Sequence, residues 1–264
     1  MIGMLLRFWQ INWAEQWQYR ANTLMYLFYW LVSPVVYMSI WMSISALNGS
    51  INGMGPADFA AYYLVTLAIN ILTSQITVHV FGQKVEDGTL SAWLTLPVHP
   101  MLTHVLMSNL AFKCLQIISM VPIMAVLVWL FQPAITLTAA NVLLAIPVVA
   151  LGFVLNYLSG ALVSFMAFWT TRVHALANIY FAAFMFFAGE FVPLHLLPQG
   201  IQSIARVLPF QLALYFPVQL LLGKLSTAEI VTNLALLAFW LLVFGVLFRA
   251  TWHAGLRRYS AVGA

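Results

Sequence analysis

Apolar residues in this chain come in long runs. Six stretches, near 22–46, 58–80, 104–130, 139–169, 174–192 and 229–250, each hold close to the roughly 20 mostly apolar residues that a bilayer-spanning helix needs. None shows the alternation of a barrel strand. The fourth is long enough to tilt or to extend past the lipid. Pro34, Pro122 and Pro147 fall inside spans, where proline is tolerated and usually marks a kink. The expected fold is all-α, a single transmembrane domain over residues 1–264 with six spanning helices.

Between the runs the pattern changes. In residues 1–21, Ile2, Leu6, Trp9, Trp13 and Trp17 gather on one helical side, with Arg7 and Gln18 roughly opposite. Tryptophan favours the headgroup region, so an interfacial helix in the membrane plane is expected. Residues 81–103 hold Lys84, Glu86 and Asp87. Gly88 permits a turn, Thr89 is positioned to cap a short helix, Leu90, Trp93 and Leu94 form its apolar edge, and Pro97 ends it. Such a helix lies on lipid, packs within the chain, or docks its polar side into a soluble partner; the pattern leaves these open. In residues 190–228, Leu194, Leu197, Ile201, Ile204 and Leu208 recur at helical spacing between Pro193 and Pro209. The following "FQLALYFPVQLLLG" carries Pro217 and is too short to span, so it reads as re-entrant or interfacial. Two short outer helices at the membrane surface satisfy both patterns.

Composition agrees. The chain is 64% hydrophobic and 6% charged, with mean hydropathy +0.97, far from the balance of a soluble domain. A net charge of +4 does not favour nucleic acid as a partner; the placement of the cations says more. With both termini in the cytoplasm, Arg7, Arg20, Lys84, Arg172, Arg249, Arg257 and Arg258 all face inward. Lys113 lies near the inner end of the third span and is expected to snorkel there. Arg206 and Lys224 fall outside. Cys114 is alone, so the chain has no internal disulfide. Residues 1–20 lack the core and cleavage site of a signal peptide.

Some polar residues sit inside the runs. Thr66, Asn70, Thr73 and Thr77 share one side of the second span. They either line a substrate path or hydrogen-bond between helices; the lack of a counter-charge favours the second. Gly152, Asn156, Gly160 and Ser164 read as small-residue helix packing. Lys113 has Asn109 and Gln116 on its side of the third span. Glu190, at the outer end of the fifth, reaches water or serves a gate. The histidines at 79, 99, 104, 174, 195 and 253 show no metal-binding spacing, so no metal is expected. No catalytic arrangement stands out.

Several segments resemble the type-two ABC transporter permeases. "EDGTLSAWLTLP" (86–97) is similar to their loop after the second span. "FAGEFVPLHLLPQGIQSIARVLPF" (187–210) resembles their signature before the last span. "YFPVQLLLGK" (215–224) is similar to a branch of predicted exporters, and "YRANTLMYLFYW" (19–30) fits the start of the first span. The segments come in family order across most of the chain. Glu190 departs from the pattern, standing where a small or apolar residue is usual.

The resemblance implies the membrane subunit of an ATP-driven exporter in a bacterial inner membrane. Its partners are then an ABC ATPase subunit and a second copy or a sister permease, within membrane lipid. ATP and magnesium belong to the ATPase, since this chain has no GxxxxGK[ST] loop. The ATPase contact carried over is the coupling helix region: Gln83, Lys84, Val85, Glu86, Asp87, Gly88, Thr89, Leu90, Trp93 and Leu94. An outer gate falls at Gly189, Glu190, Pro193, Leu194, Pro198, Pro209 and Pro217. A path with little charge favours amphipathic or lipidic cargo. The rival readings are a self-sufficient carrier or channel and a membrane-embedded lipid-modifying enzyme; an ATPase that co-purifies separates them.

Overall fold

The computed structural model describes residues 2–259, with backbone alone at 2, 20–24 and 26–30. The side chains of Ile2 and Arg20, and most of the Arg-x-Asn segment, lie outside the described residues. Among those described there is no strand; the chain is a helical bundle. Its helices are α1 (Ile2–Gln18), α2 (Arg20–Asn48), α3 (Pro56–Thr73), α4 (Gln83–Glu86), α5 (Leu90–Leu94) and α6 (Met107–Phe131). They continue with α7 (Ala139–Phe165), α8 (Val173–Phe187), α9 (Gln199–Val207), α10 (Phe210–Ala213), α11 (Tyr215–Leu221) and α12 (Thr227–Arg258).

Five helical stretches are long and apolar enough to cross a membrane: Leu31–Asn48, Pro56–Glu86, Met101–Phe131, Ala139–Phe168 and Thr227–Arg258. The run expected as the fifth span forms the 15-residue α8. At about 1.5 Å per residue, α8 is shorter than a hydrocarbon core of about 30 Å. Just beyond it, Gly189 takes φ +81° and turns the chain. Pro34, Pro122 and Pro147 lie within continuous helices.

α3 is the enclosed centre. Phe59 to Leu67 are buried without interruption, the mark of a helix covered on every side. It packs against α2, α6, α7 and α11. A capping box starts it: Asp58 accepts from the Gly55 N–H at 3.0 Å, with Pro56 in the first turn. α7 lies beside it and also carries α12. Gly152 brings α7 against the Ala213 backbone, the close packing expected of that small-residue row.

One expectation changes here. The second span is not one helix: residues 74–76 are non-helical, and the chain resumes as a π-helical turn, Val78–Gly82, that runs into α4. α1 lies along α6, with Phe8 4.8 Å from the His104 ring, while Leu6 and Trp17 stay exposed. Of the two expectations for the segment 210–221, re-entrant or interfacial, its burial agrees with the first. Leu212, Ala213, Leu214, Phe216, Val218 and Leu220 are all buried, so α10 and α11 insert into the bundle. At the break between them, the Leu214 carbonyl accepts from the Val218 N–H at 3.1 Å.

Candidate functional site

Segment 81–103 is anchored on several sides. Asp87–Thr89 form the turn, and Gly88 takes φ +68°, which favours glycine. Leu90 is fully buried in a cluster with Phe81, Phe165, Phe168 and Trp252, where Phe81 lies 5.3 Å from Phe165 and 5.8 Å from Trp252. The Tyr259 hydroxyl donates to the Gly88 carbonyl at 2.8 Å and accepts from the Ser91 N–H at 3.2 Å. The end of α12 therefore clamps the turn. Glu86 Oε2 lies 3.5 Å from His174 Nε2 at the start of α8. Lys84 Nζ stands 5.9 Å from the centre of the Trp93 ring. Trp93 stacks on His104 at 4.3 Å, and His104 touches Phe8 of α1. Val85 packs at the edge of the aromatic cluster, while Gln83, Asp87, Thr89 and Leu94 are exposed. Thr89 precedes α5, but its side chain makes no capping bond, a correction to its expected role.

Thr66, Asn70, Thr73 and Thr77 are all buried. Thr73 donates its hydroxyl to the Ile69 carbonyl, and its own carbonyl accepts from Asn156 Nδ2 at 2.9 Å. The Asn70 side chain stands beside the Glu190 carboxyl. The stripe thus reaches two other segments of the same chain.

The break in the second span is held by the third and fourth. Lys113 Nζ donates to the carbonyls of Ile71 at 2.8 Å and Ser74 at 2.9 Å, and lies 4.9 Å from the centre of the Phe153 ring. The Lys113 amino group takes the place of the N–H groups that a continuous helix would supply, at the C-terminal end of α3. Snorkelling is therefore not what Lys113 does; it is buried. Asn109 Oδ1 accepts from the Ile76 N–H at 2.8 Å, and Gln75 Oε1 from the Thr77 N–H at 2.6 Å. Gly160 leaves room for the Gln75 side chain, which a Cβ there would strike. Tyr180 donates to Asn156 Oδ1 at 2.6 Å.

Compared with known families, the chain matches the ABC-2 family transporter proteins over residues 31–263, which include both anchored segments. The chain belongs to this family. It is a multi-pass membrane permease, the membrane subunit of an ABC transporter, whose partner is an ABC ATPase subunit rather than an ATPase site of its own. No curated protein matches it.

At the end of the permease opposite the clamped turn lie the positions expected as an outer gate, of which Gly189, Pro193, Leu194, Pro209 and Pro217 are buried and Pro198 is exposed. Gly189 donates no side chain, and its carbonyl accepts from Tyr62; a Cβ at 189 would stand 2.9 Å from that hydroxyl. Glu190 is half-buried beside Asn70. Tyr63 donates to the Phe191 carbonyl at 2.9 Å. Pro193 precedes a 3₁₀ turn that begins at the buried Leu194, and Pro198 precedes α9. Pro209 precedes α10, and Pro217 sits in the first turn of α11, where a missing N–H costs no helical bond. His195 Nδ1 lies 3.1 Å from the Tyr215 hydroxyl and its Nε2 3.1 Å from Met54 Sδ.

Sequence reasoning missed four contacts of the permease. Tyr259 carried no signal, being one aromatic near a chain end. The contacts of His174 with Glu86 and of His104 with Trp93 and Phe8 join residues far apart in sequence. The break had a faint signal, the polar pair Ser74–Gln75 inside an apolar run, facing the Lys113, Asn109 and Gln116 side of the third span.

Proposed function

We propose that this permease couples ATP hydrolysis by its separate ATPase to export of an amphipathic or lipidic substrate from a bacterial cytoplasm. The whole chain acts as one transmembrane domain in the inner membrane, with both termini and segment 81–103 in the cytoplasm. Two permeases, identical or sister chains, pair within the lipid. The exposed side of Gln83–Leu94 meets the ATPase, and the gate at Gly189–Pro217 closes the far end.

The observation that carries this reading is the tethering of the turn at 87–89. A contact that transmits force must be rigidly tied to the elements it moves. Here Tyr259 ties the turn to α12, Glu86 faces α8, and Leu90 sits in a cluster drawn from four long helical stretches. The cations distribute accordingly: Arg7, Lys84, Arg172, Arg257 and Arg258 belong to the end that holds the turn, and Arg206 and Lys224 to the other. That asymmetry supports a cytoplasmic turn through the positive-inside rule.

The deciding experiment is purification from native membrane in mild detergent, with all partners identified. A stoichiometric ATPase, lost on mutating residues 86–90, is the expected result. A preparation free of any ATPase across several mild detergents contradicts the docking role. Glu86→Ala is expected to lower transport per ATP hydrolysed while the protein stays in the membrane; wild-type transport rates in that variant count against the contact.

A further inference from the structure

An outer gate explains the packing around Gly189 but not the acid beside it. Residues 189–191 turn back from the end of α8, with Gly189 at φ +81°, and two consecutive residues of α3 pin them. Tyr62 donates its hydroxyl to the Gly189 carbonyl, and Tyr63 donates to the Phe191 carbonyl at 2.9 Å. Glu190 lies between the two pinned residues. It is half-buried, with its carboxyl beside the side chain of Asn70 of α3, which is itself buried. Among the described residues, no Lys, Arg or His nitrogen stands within ion-pair distance of Glu190.

The other ionisable groups around this turn are mostly phenols. α3 brings Tyr62 and Tyr63, and α2 brings Tyr37, whose ring lies 5.0 Å from Phe191. α11 brings Tyr215, 6.4 Å from the Tyr62 ring, with His195 3.1 Å from its hydroxyl. Lys224 acts on His195, and Arg206 and Glu229 act on Tyr215. Tyrosine ordinarily keeps its proton below about pH 10, so near neutrality the groups here that change charge are Glu190 and His195. Burial without a counter-charge disfavours the Glu190 carboxylate. It raises the pKa from 4.5 to about 7, with Asn70 pulling the other way. A turn freed from α3 returns the carboxyl to water and to its ordinary range. Seating on α3 is therefore favoured by the proton. The hold is complete below the ordinary carboxylate range and is lost as pH rises through about 7.

We propose that Glu190 is a proton-operated latch: protonated, it lets the turn at 189–191 seat on α3 beside Asn70, and ionised, it loosens that turn. Tyr62 and Tyr63 supply the seat, and Glu190 decides how tightly it is held. The latch itself does not depend on the proposed transport function. Its consequence rests on that reading: an acidic exterior holds the outer gate shut, and an alkaline one eases it.

The test uses the full chain in lipid nanodiscs, with the partners that co-purify and without ATP, so its outcome is separate from that of the transport reading. Amide hydrogen exchange is followed in peptides covering 185–192, at one pH more than a unit below that midpoint and one more than a unit above it, after correction for intrinsic exchange. Glu190→Gln keeps the shape of the protonated acid and cannot ionise. At the lower pH the two proteins should exchange alike; at the higher, the wild type should exchange several-fold faster. Infrared difference spectra should show a protonated carboxyl band that fades in the wild type with the same midpoint as its exchange and is missing from Glu190→Gln. Glu190→Ala identifies the band if the Gln variant folds poorly. Exchange that rises equally in wild type and Glu190→Gln would overturn the latch. So would a titrating band with no matching change in exchange, since the proton would then bind without holding the turn. His195→Gln should keep the wild-type response, and its loss there would make His195 the switch instead.

Discussion

Gly189 illustrates how much one position fixes. It needs both a positive φ and the absence of a Cβ, because the Tyr62 hydroxyl and the Tyr215 ring already fill the space. Gly189→Ala is expected to destabilise the permease by about 1–3 kcal/mol, the cost of a strained backbone position. A thermal melt in detergent reads the loss, and an unchanged midpoint would contradict the packing at this turn. His195 is a second such position, in the loop outside the spans. Burial, then Lys224, lowers its pKa from the ordinary 6.5. The unfolded chain therefore binds the extra proton first as pH falls through 6.5. Stability from this group is present above that value and is lost as pH falls toward the folded pKa. The wild-type melting midpoint should drop on acidification more steeply than that of His195→Gln, which lacks the titrating group.

Among the elements, the broken second span is the one that matters most. Lys113, Asn109 and Gln75 replace helical hydrogen bonds at residues 71–77, so the break is a built feature with its backbone satisfied. Lys113→Met removes the donor and keeps the apolar stem. Each carbonyl left unpaired costs about 1–3 kcal/mol, so a clear fall in the melting midpoint is expected. A variant as stable as wild type would mean that the break closes or finds another donor. The strap of α10 and α11 makes the complementary point. Its apolar residues were visible in the sequence, but a stretch this short has the same pattern on a membrane surface as inside a bundle. Burial against α3 and α7 chose between them.

For the molecule as a whole, the turn at 87–89 is tied to the end of α12 through Tyr259. Tyr259→Phe deletes both hydrogen bonds to the turn and keeps the ring against Phe168. Each such bond contributes about 0.5–1.5 kcal/mol, so folding and assembly should survive. The expected result is normal ATPase association with less transport per ATP. Transport and hydrolysis reduced together would instead mean that Tyr259 serves assembly.

The sequence by itself determined that the chain is helical and membrane-spanning, where its apolar runs lie, and which two segments interrupt them. Those properties follow from local hydropathy, from Gly88 and Gly189 as turns, and from the prolines that bound the strap. It also segregated the cations. Tertiary structure alone decided what each polar residue does. Lys113 meets Ile71 from 42 residues away and Tyr259 meets Gly88 across 171, and no spacing rule reaches that far. The physical reason is the solvent: lipid leaves a buried amino group, amide or carbonyl no water to bond with. The partners that Lys113, Asn109 and Asn156 find lie on whichever segment packs beside them, and that neighbour is set by the fold.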